Sequence, residues 1–329
     1  MAKKSTAETV NALWYIAPGQ AEIRQEELGP PEPGELRVRA LYGALSRGTE
    51  ALVLNGRVPR SEYTRMRGPF MGGEFPFPVK YGYATVGRVE IGPPELIDQT
   101  VFTLHPHQDR FNIPRSAVVL VPANVPSQRA VLAANMETAL NAMWDARPAP
   151  ADRIAVVGAG AVGAMVSFLC GQLPGAEVTL VDINPARAEQ AKRIEVGFST
   201  PERAKPDCDI VFHCSGSAAG LETAIALAGD EASIIELSWY GDAQLPLSLG
   251  GPFHSRRLRL ISSQVGKVAG SHRARWTHSR RLAAAIELLS DARLDSLLGP
   301  PVDFVRLPDE LPRLLSAGRD VVAPLISYR

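Results

Sequence analysis

Three glycines near the middle of the chain have the spacing of a phosphate-binding turn. Gly158, Gly160 and Gly163 form the pattern G-x-G-x-x-G, which follows the apolar run IAVV and opens the apolar segment AVGAMVSFLC. In such a turn the first glycine permits the tight bend, the second lets a ligand approach the backbone, and the third lets the helix pack on the strand. The free N–H groups at the helix start attract phosphate. The pattern therefore predicts a dinucleotide-binding turn.

An acidic residue follows at the distance that this turn requires. Asp182 ends the next apolar strand, about 20 residues beyond the turn. Its carboxylate would accept hydrogen bonds from a ribose 2′-hydroxyl and repel a 2′-phosphate, which favours NAD over NADP. Arg187 is close enough in sequence to leave NADP as the less favoured alternative. Further residues that we expect to line the site are Ala161, Val162, Ile183, Ser215 and Tyr240.

The segment around this turn alternates between strand and helix patterns. Such alternation indicates βαβ units on a parallel sheet. After a helical stretch at Gln128–Ala146, the predicted strands are Arg153–Val157, Glu177–Val181, Asp209–Cys214, Ala232–Leu237 and Arg259–Ser263. The predicted helices between the first four are Val162–Leu173, Pro185–Arg193 and Ala218–Leu227.

The two ends of the chain have a different pattern. Residues 13–122 contain short alternating runs, typical of a compact, partly closed β domain. The clearest runs are Leu36–Leu41, Ala84–Ile91, Val101–Leu104 and Ala117–Val121, and a basic, aromatic insertion lies at Gly56–Phe77. The last part predicts a helix at Thr277–Ser290, a strand near Phe304–Arg306, a helix near 309–317 and a strand at Val322–Ser327. This tail does not continue the βαβ series.

Composition excludes several classes of protein. The chain has 329 residues, with 35 Lys and Arg against 35 Asp and Glu, so no net field attracts nucleic acid or an anionic membrane. Three cysteines suit neither a disulfide framework nor a four-cysteine zinc lobe. With no secretory signal and no membrane-length apolar run, we expect a cytoplasmic protein that binds neither nucleic acid nor membrane.

Several strings together resemble the medium-chain dehydrogenase/reductase superfamily. They are Ser46–Glu50 (SRGTE), Tyr81–Val89 (YGYATVGRV), Met136–Ala139 (META) and the glycine turn with Asp182. The resemblance implies an α/β protein with two domains. A GroES-like, partly closed β-barrel catalytic domain would comprise residues 1–127 and 272–329. A Rossmann domain with a doubly wound parallel sheet would comprise residues 128–271.

The resemblance also places unsuitable residues where related enzymes hold catalytic zinc. Arg47, Tyr83 and Ala134 occupy the three ligand positions, and neither arginine nor alanine can bind zinc. We therefore expect no metal. The strings are most similar to the bacteriochlorophyllide (2-desacetyl-2-hydroxyethyl) dehydrogenase-like subgroup, which implies NAD-dependent, zinc-independent oxidation of a secondary alcohol to a ketone. The alternatives are an NADPH-dependent enoyl or quinone reductase of the same superfamily and a non-catalytic dinucleotide-binding protein.

Without zinc, the hydroxyl proton of an alcohol needs another acceptor or relay. The candidates are Thr49, Lys80, Tyr83, His105 and His107. If the Lys80 ammonium lay beside Tyr83, it would lower the pKa of the phenol, but the sequence leaves their contact open. Each histidine is a proton relay or a structural residue, with metal binding by the pair His105 and His107 as the least favoured alternative, and Thr49 is a relay or a turn residue.

Two expectations concern binding partners. Cations around the predicted cleft suggest a small-molecule substrate with an anionic group, the alternative being a solvated loop face. These cations are Arg47, Arg57, Arg60, Arg65, Arg67 and Lys80. The apolar stretch Leu258–Gly266 would form a sheet edge, and edge strands of this kind pair in the superfamily, so we expect a homodimer.

Overall fold

The chain forms two compact units. The structure is a computed structural model that describes residues 7–316 and 322–328. Within these residues, unit 1 comprises 7–134, 298–316 and 323–328, and unit 2 comprises 135–297 and residue 322. Residues 128–134, predicted in the Rossmann domain, belong to unit 1, and residues 272–297, predicted in the catalytic domain, pack within unit 2.

The strands are β1 (Glu8–Ala17), β2 (Gln20–Leu28), β3 (Glu35–Ala44), β4 (Gly72–Gly73), β5 (Val79–Lys80), β6 (Thr85–Ile91), β7 (Thr100–Thr103), β8 (Arg110–Pro114), β9 (Val118–Leu120), β10 (Arg153–Val157), β11 (Glu177–Val181), β12 (Gly197–Ser199), β13 (Cys208–His213), β14 (Ala228–Glu236), β15 (Arg259–Ser262), β16 (Leu298–Asp303) and β17 (Ala323–Ser327). The helices are α1 (Arg47–Leu54), α2 (Ser127–Ala130), α3 (Ala133–Ala146), α4 (Ala161–Cys170), α5 (Arg187–Arg193), α6 (Ala218–Leu227), α7 (His278–Glu287) and α8 (Leu307–Leu314).

Unit 1 contains two sheets of mostly antiparallel strands. The smaller has the order β2-β1-β5-β4, and the larger has the order β16-β17-β3-β6-β7-β9, with β8 paired to β3. Alternation is visible at the start of β1, where Val10 and Ala12 are buried while Thr9 is exposed, but Leu13 and Tyr15 on the other face are buried as well. The larger sheet joins the two ends of the chain, because β17 pairs antiparallel with β3.

One predicted strand of unit 1 is wrong. Phe304–Arg306 forms a short 3₁₀ helix, and the strand is β16, immediately before it. β16 contains Pro300 and Pro301. It is an edge strand, where the missing N–H groups of proline are tolerated.

Unit 2 is a parallel sheet with the order β12-β11-β10-β13-β14-β15. The predicted strands and helices of this segment are present, although β14 begins at Ala228 rather than Ala232 and the short strand β12 was not predicted. The predicted helix at 128–146 is divided into α2 and α3. The chain order reverses between β10 and β13, and ligands bind at this point in open α/β sheets.

None of the described helices combines the length and the apolar character that crossing a membrane requires.

Candidate active site

The glycine turn of unit 2 has two closed positions and one open position. A Cβ at Gly158, where φ is +108°, would lie 2.6 Å from the Ser215 nitrogen, and one at Gly163 would lie 1.9 Å from the Gly158 oxygen. A Cβ at Gly160 would meet nothing within 4 Å. The fold itself therefore needs Gly158 and Gly163, whereas Gly160 faces space that a ligand can fill. α4 begins there with no side-chain cap, so its first N–H groups are available to an anion.

Asp182 lies beside this turn. One carboxylate oxygen accepts a hydrogen bond from the Ala159 N–H (2.7 Å) and the other from the Asn184 N–H (2.8 Å). The following residue, Ile183, is 83% exposed, which is unusual for a large apolar side chain. Arg187 is buried, and its guanidinium donates to Gln190 Oε1 (3.3 Å).

A polar network lies at the carboxyl ends of β13 and β14. The fully buried His213 donates from Nδ1 to Glu236 Oε2 (2.8 Å), and its Nε2 lies 2.7 Å from Ser215 Oγ. Tyr240 donates its hydroxyl to Glu236 Oε2 (2.9 Å), and the Ser238 N–H donates to Glu236 Oε1 (2.7 Å). Thus Ser215 and Tyr240, both predicted to line the site, belong to one network.

Burial and hydrogen bonding act in opposite directions on the pKa of Glu236, whereas burial and charge both raise the pKa of Tyr240. Burial raises the pKa of Glu236, but its hydrogen bonds with His213, Ser238 and Tyr240 outweigh that effect and lower the pKa below its usual value. Burial and the Glu236 charge raise the pKa of Tyr240. Glu236 is therefore an anion that accepts hydrogen bonds, and Tyr240 is a neutral donor.

Unit 1 contains a second buried polar cluster, centred on Glu50. This carboxylate has no exposed surface and accepts hydrogen bonds from the Tyr15 hydroxyl (2.7 Å), His107 Nε2 (2.9 Å) and the Ser46 N–H (2.8 Å). The Tyr328 hydroxyl lies 3.4 Å from His107 Nδ1. Of the predicted residues, His107 is thus held by a buried carboxylate that the sequence reasoning did not include among the site residues.

Tyr83 and Thr49 are brought together, but Lys80 is not with them. The Tyr83 hydroxyl forms hydrogen bonds with the side chains of Ser46 and Thr49. Lys80 Nζ instead contacts Glu26 Oε2 (2.7 Å) and the Gln108 side-chain oxygen (2.8 Å).

The contact between Lys80 and Tyr83 that the sequence left open is therefore not made. Burial and the charge of Glu50 raise the pKa of Tyr83 to about 12. The phenol stays protonated near neutral pH and serves as a hydrogen-bond donor.

His105 packs against an aromatic ring and a backbone carbonyl. Its ring stacks on Phe111 at 3.7 Å between centroids, and Nδ1 lies 2.9 Å from the Pro106 oxygen. Burial lowers the pKa of His105 to about 3. A ring that stays neutral above that pH is a poor proton acceptor, so the geometry favours the structural alternative for His105.

The positions that correspond to zinc ligands have other contacts. Arg47 Nε donates to the Leu314 oxygen (2.9 Å), Tyr83 bonds to Ser46 and Thr49, and Ala134 has no side-chain donor atom. These residues do not fit a tetrahedral zinc ion. Within 7–316 and 322–328, no group of three His, Cys, Asp or Glu side chains is arranged to hold a metal.

Several predicted substrate-binding cations are already engaged. Arg67 donates to the Gly73 and Met71 oxygens (3.1 and 3.2 Å), and Arg65 forms an exposed pair with Glu62 (3.3 Å). Lys80 and Arg47 have the partners given above. The contacts favour a structural role for these cations over recognition of an anionic substrate.

Comparison with solved structures establishes the fold. L-idonate 5-dehydrogenase from Escherichia coli K-12 superposes with a TM-score of 0.79 at 15% identity, covering 98% of this chain and 100% of that one. Acetophenone reductase from Geotrichum candidum, solved with NAD, gives 0.77 at 14% identity and covers 98% of both chains. 2R,3R-butanediol dehydrogenase from Bacillus subtilis gives 0.76 at 13% identity, covering 97% and 100%.

The chain has the fold of these dehydrogenases. The predicted fold class, a GroES-like domain with a Rossmann domain, is thereby confirmed. Neither a protein-family profile nor a curated protein sequence matches the chain.

Proposed function

We propose that the protein is a zinc-independent, NAD(H)-dependent oxidoreductase that interconverts a secondary alcohol and a ketone. The observation that carries the proposal is the turn at Gly160. Its only unfilled Cβ position lies at the uncapped start of α4, beside the carboxylate of Asp182. An anionic pyrophosphate fits the start of α4, and a ribose hydroxyl fits the Asp182 carboxylate. When bound, NAD accepts a hydride from the alcohol carbon.

Three features support NAD over NADP. The Asp182 carboxylate repels a 2′-phosphate, and the nearest candidate cation, Arg187, is buried with its guanidinium bonded to Gln190. The exposed Ile183 offers an apolar surface next to Asp182, where an adenine ring could pack.

Zinc independence rests on donor chemistry. A zinc site needs three or four nitrogen, sulfur or carboxylate ligands, whereas Arg47, Tyr83 and Ala134 provide a cation, a protonated phenol and a methyl group. In the reaction, the Tyr83 phenol and the Thr49 hydroxyl are suited to hydrogen-bond a carbonyl oxygen. That interaction replaces the polarising role of a metal ion.

The test is a fluorescence titration of chelator-treated protein with NADH and, separately, NADPH. We expect NADH to bind at least tenfold more tightly than NADPH in wild type, and Asp182→Ser to reduce that preference. The matched control is Asp230→Ser, an exposed aspartate of unit 2 that should change neither affinity.

Preferential binding of NADPH would instead favour the enoyl or quinone reductase alternative. Binding of NADH with no turnover of any secondary alcohol or ketone would favour a non-catalytic dinucleotide-binding protein. Binding of neither nucleotide would refute the proposal.

We also propose that the protein acts as a cytoplasmic homodimer through β15. This strand is the edge of the parallel sheet, and its Leu260 is 39% exposed. Paired β15 strands would satisfy the unpaired backbone groups of both edges. Sedimentation equilibrium should give twice the 35.4 kDa chain mass, and Leu260→Lys should yield monomers. A monomeric wild type would refute this.

A further inference from the structure

His213 has a defined tautomer because both ring nitrogens are engaged. The Glu236 carboxylate can only accept, so the His213 Nδ1 facing it at 2.8 Å carries a proton. With Nδ1 protonated, Nε2 of the neutral ring accepts the hydroxyl proton of Ser215 at 2.7 Å. A carboxylate, an imidazole and a serine hydroxyl are thus joined in the arrangement by which serine is activated elsewhere.

This chain of groups runs from a buried interior to an exposed edge. His213 has no exposed surface, Glu236 is partly buried and Ser215 is exposed. Ser215 lies two residues beyond the end of β13, and its backbone nitrogen would be 2.6 Å from a Cβ placed on Gly158 of the phosphate-binding turn. It therefore lies where the strand order reverses, the position at which open α/β sheets bind their ligands.

The groups that face His213 are polar, and one of them carries a charge. From the end of β14 and the residues that follow, it faces Glu236, Ser238 and Tyr240, and from its own strand end it faces Ser215. From α6 it meets the backbone of Gly220. Among these described neighbours one is a carboxylate and none is a cation.

We propose that Ser215, His213 and Glu236 form the proton-accepting relay of the oxidoreductase. The inference rests on the proposed function. As the hydride leaves the alcohol carbon, the alcohol hydroxyl gives its proton to Ser215 Oγ, and the proton of Ser215 passes to His213 Nε2. The carbonyl bond forms from the electron pair of the broken O–H bond. The resulting imidazolium is neutralised by Glu236, and the reverse steps supply the proton for ketone reduction.

The first experiment observes the imidazole itself. Nitrogen-15 spectra of the full protein, histidine-labelled and assigned with His213→Gln, should show a neutral Nδ1–H ring with a hydrogen-bonded Nε2 at pH 8. In Glu236→Gln, where the side-chain amide can also donate a hydrogen bond to Nδ1, the Nε2–H tautomer should become populated. An Nε2–H tautomer in the wild type would overturn the proposal, whichever alcohol the protein uses.

The second experiment separates proton transfer from cofactor binding. With NAD and 1-phenylethanol or 2,3-butanediol as probe alcohols, His213→Gln and Ser215→Ala should lower kcat about 100-fold. Their affinities for NADH should stay within about twofold of wild type. Ser215→Thr, which keeps the hydroxyl, should restore most of kcat, and His254→Gln, at an exposed histidine, is the control.

The outcomes distinguish the two proposals. Failure of the wild type to bind NADH contradicts the proposed function. Normal NADH binding with unchanged kcat in His213→Gln contradicts the relay alone. A parallel loss of NADH affinity and kcat in Ser215→Ala, without rescue by threonine, would show a structural role and also overturn the relay.

Discussion

Replacing His105 with phenylalanine should remove a large part of the acid sensitivity of unit 1. The ring stacks between Phe111 (3.7 Å) and Phe70 (5.8 Å), so phenylalanine preserves the aromatic contacts but cannot titrate. Burial lowers the pKa of His105 from 6.5 to about 3. Below pH 6.5 the unfolded chain binds a proton that the folded chain excludes. The free energy of unfolding therefore decreases as the pH falls from 6.5 to about 3, the pKa of His105 in the folded protein.

The expected size follows from these two pKa values. Between pH 7 and pH 5, protonation of the unfolded state should remove about 2 kcal/mol of stability through His105 alone. Urea unfolding at both pH values measures it, and the wild type should lose about 2 kcal/mol more than His105→Phe. His254→Gln, at an exposed histidine, should behave as wild type. Equal losses in wild type and His105→Phe would refute the assignment of His105 as a buried neutral ring.

The remaining predictions concern unit 2. Gly163→Ala should lower the unfolding midpoint and abolish NADH binding, since its Cβ would lie 1.9 Å from the Gly158 oxygen. Gly160→Ala should keep the unfolding midpoint of wild type yet bind NADH at least tenfold more weakly, because its Cβ meets nothing in the protein; equal midpoints for the two variants would contradict this steric account. Arg281→Met should lower the unfolding free energy by about 3–5 kcal/mol by leaving the buried Glu137 without its ion pair. The double variant with Glu137→Leu should recover most of that loss, and a variant as unstable as the single one would argue against a pairing effect.

Local patterns were sufficient to predict most of unit 2. Most strands there contain an apolar run, and α4, α5 and α6 each join two neighbouring parallel strands, so the spacing along the chain reports the architecture. Unit 1 is different, because the pairing of β17 with β3 joins residues from opposite ends of the sequence. No periodicity carries that information, and the 3₁₀ helix at Phe304–Arg306 was mistaken for the neighbouring strand.

The two polar clusters differ in the same way. Tyr15, Glu50, His107 and Tyr328 come from distant segments, so no spacing in the sequence brings them together. His213 and Glu236, in contrast, directly face each other in register as the last residues of adjacent parallel strands. An ionisable residue ending each of two consecutive apolar strands was a readable signal that the sequence reasoning did not use.

The return of β17 to β3 has a consequence for biosynthesis. Its register, Leu325 opposite Ala44 and Ser327 opposite Tyr42, is completed only when the last described residues have left the ribosome. The parallel sheet, contained in 135–297, can form earlier, before β17 is available to pair with β3. During that interval residues 42–44 of β3 lack their β17 partner, whereas β6 and β8 are already available to pair with the strand. Nascent chains that stall after residue 297 should therefore depend on chaperones far more than the finished protein does.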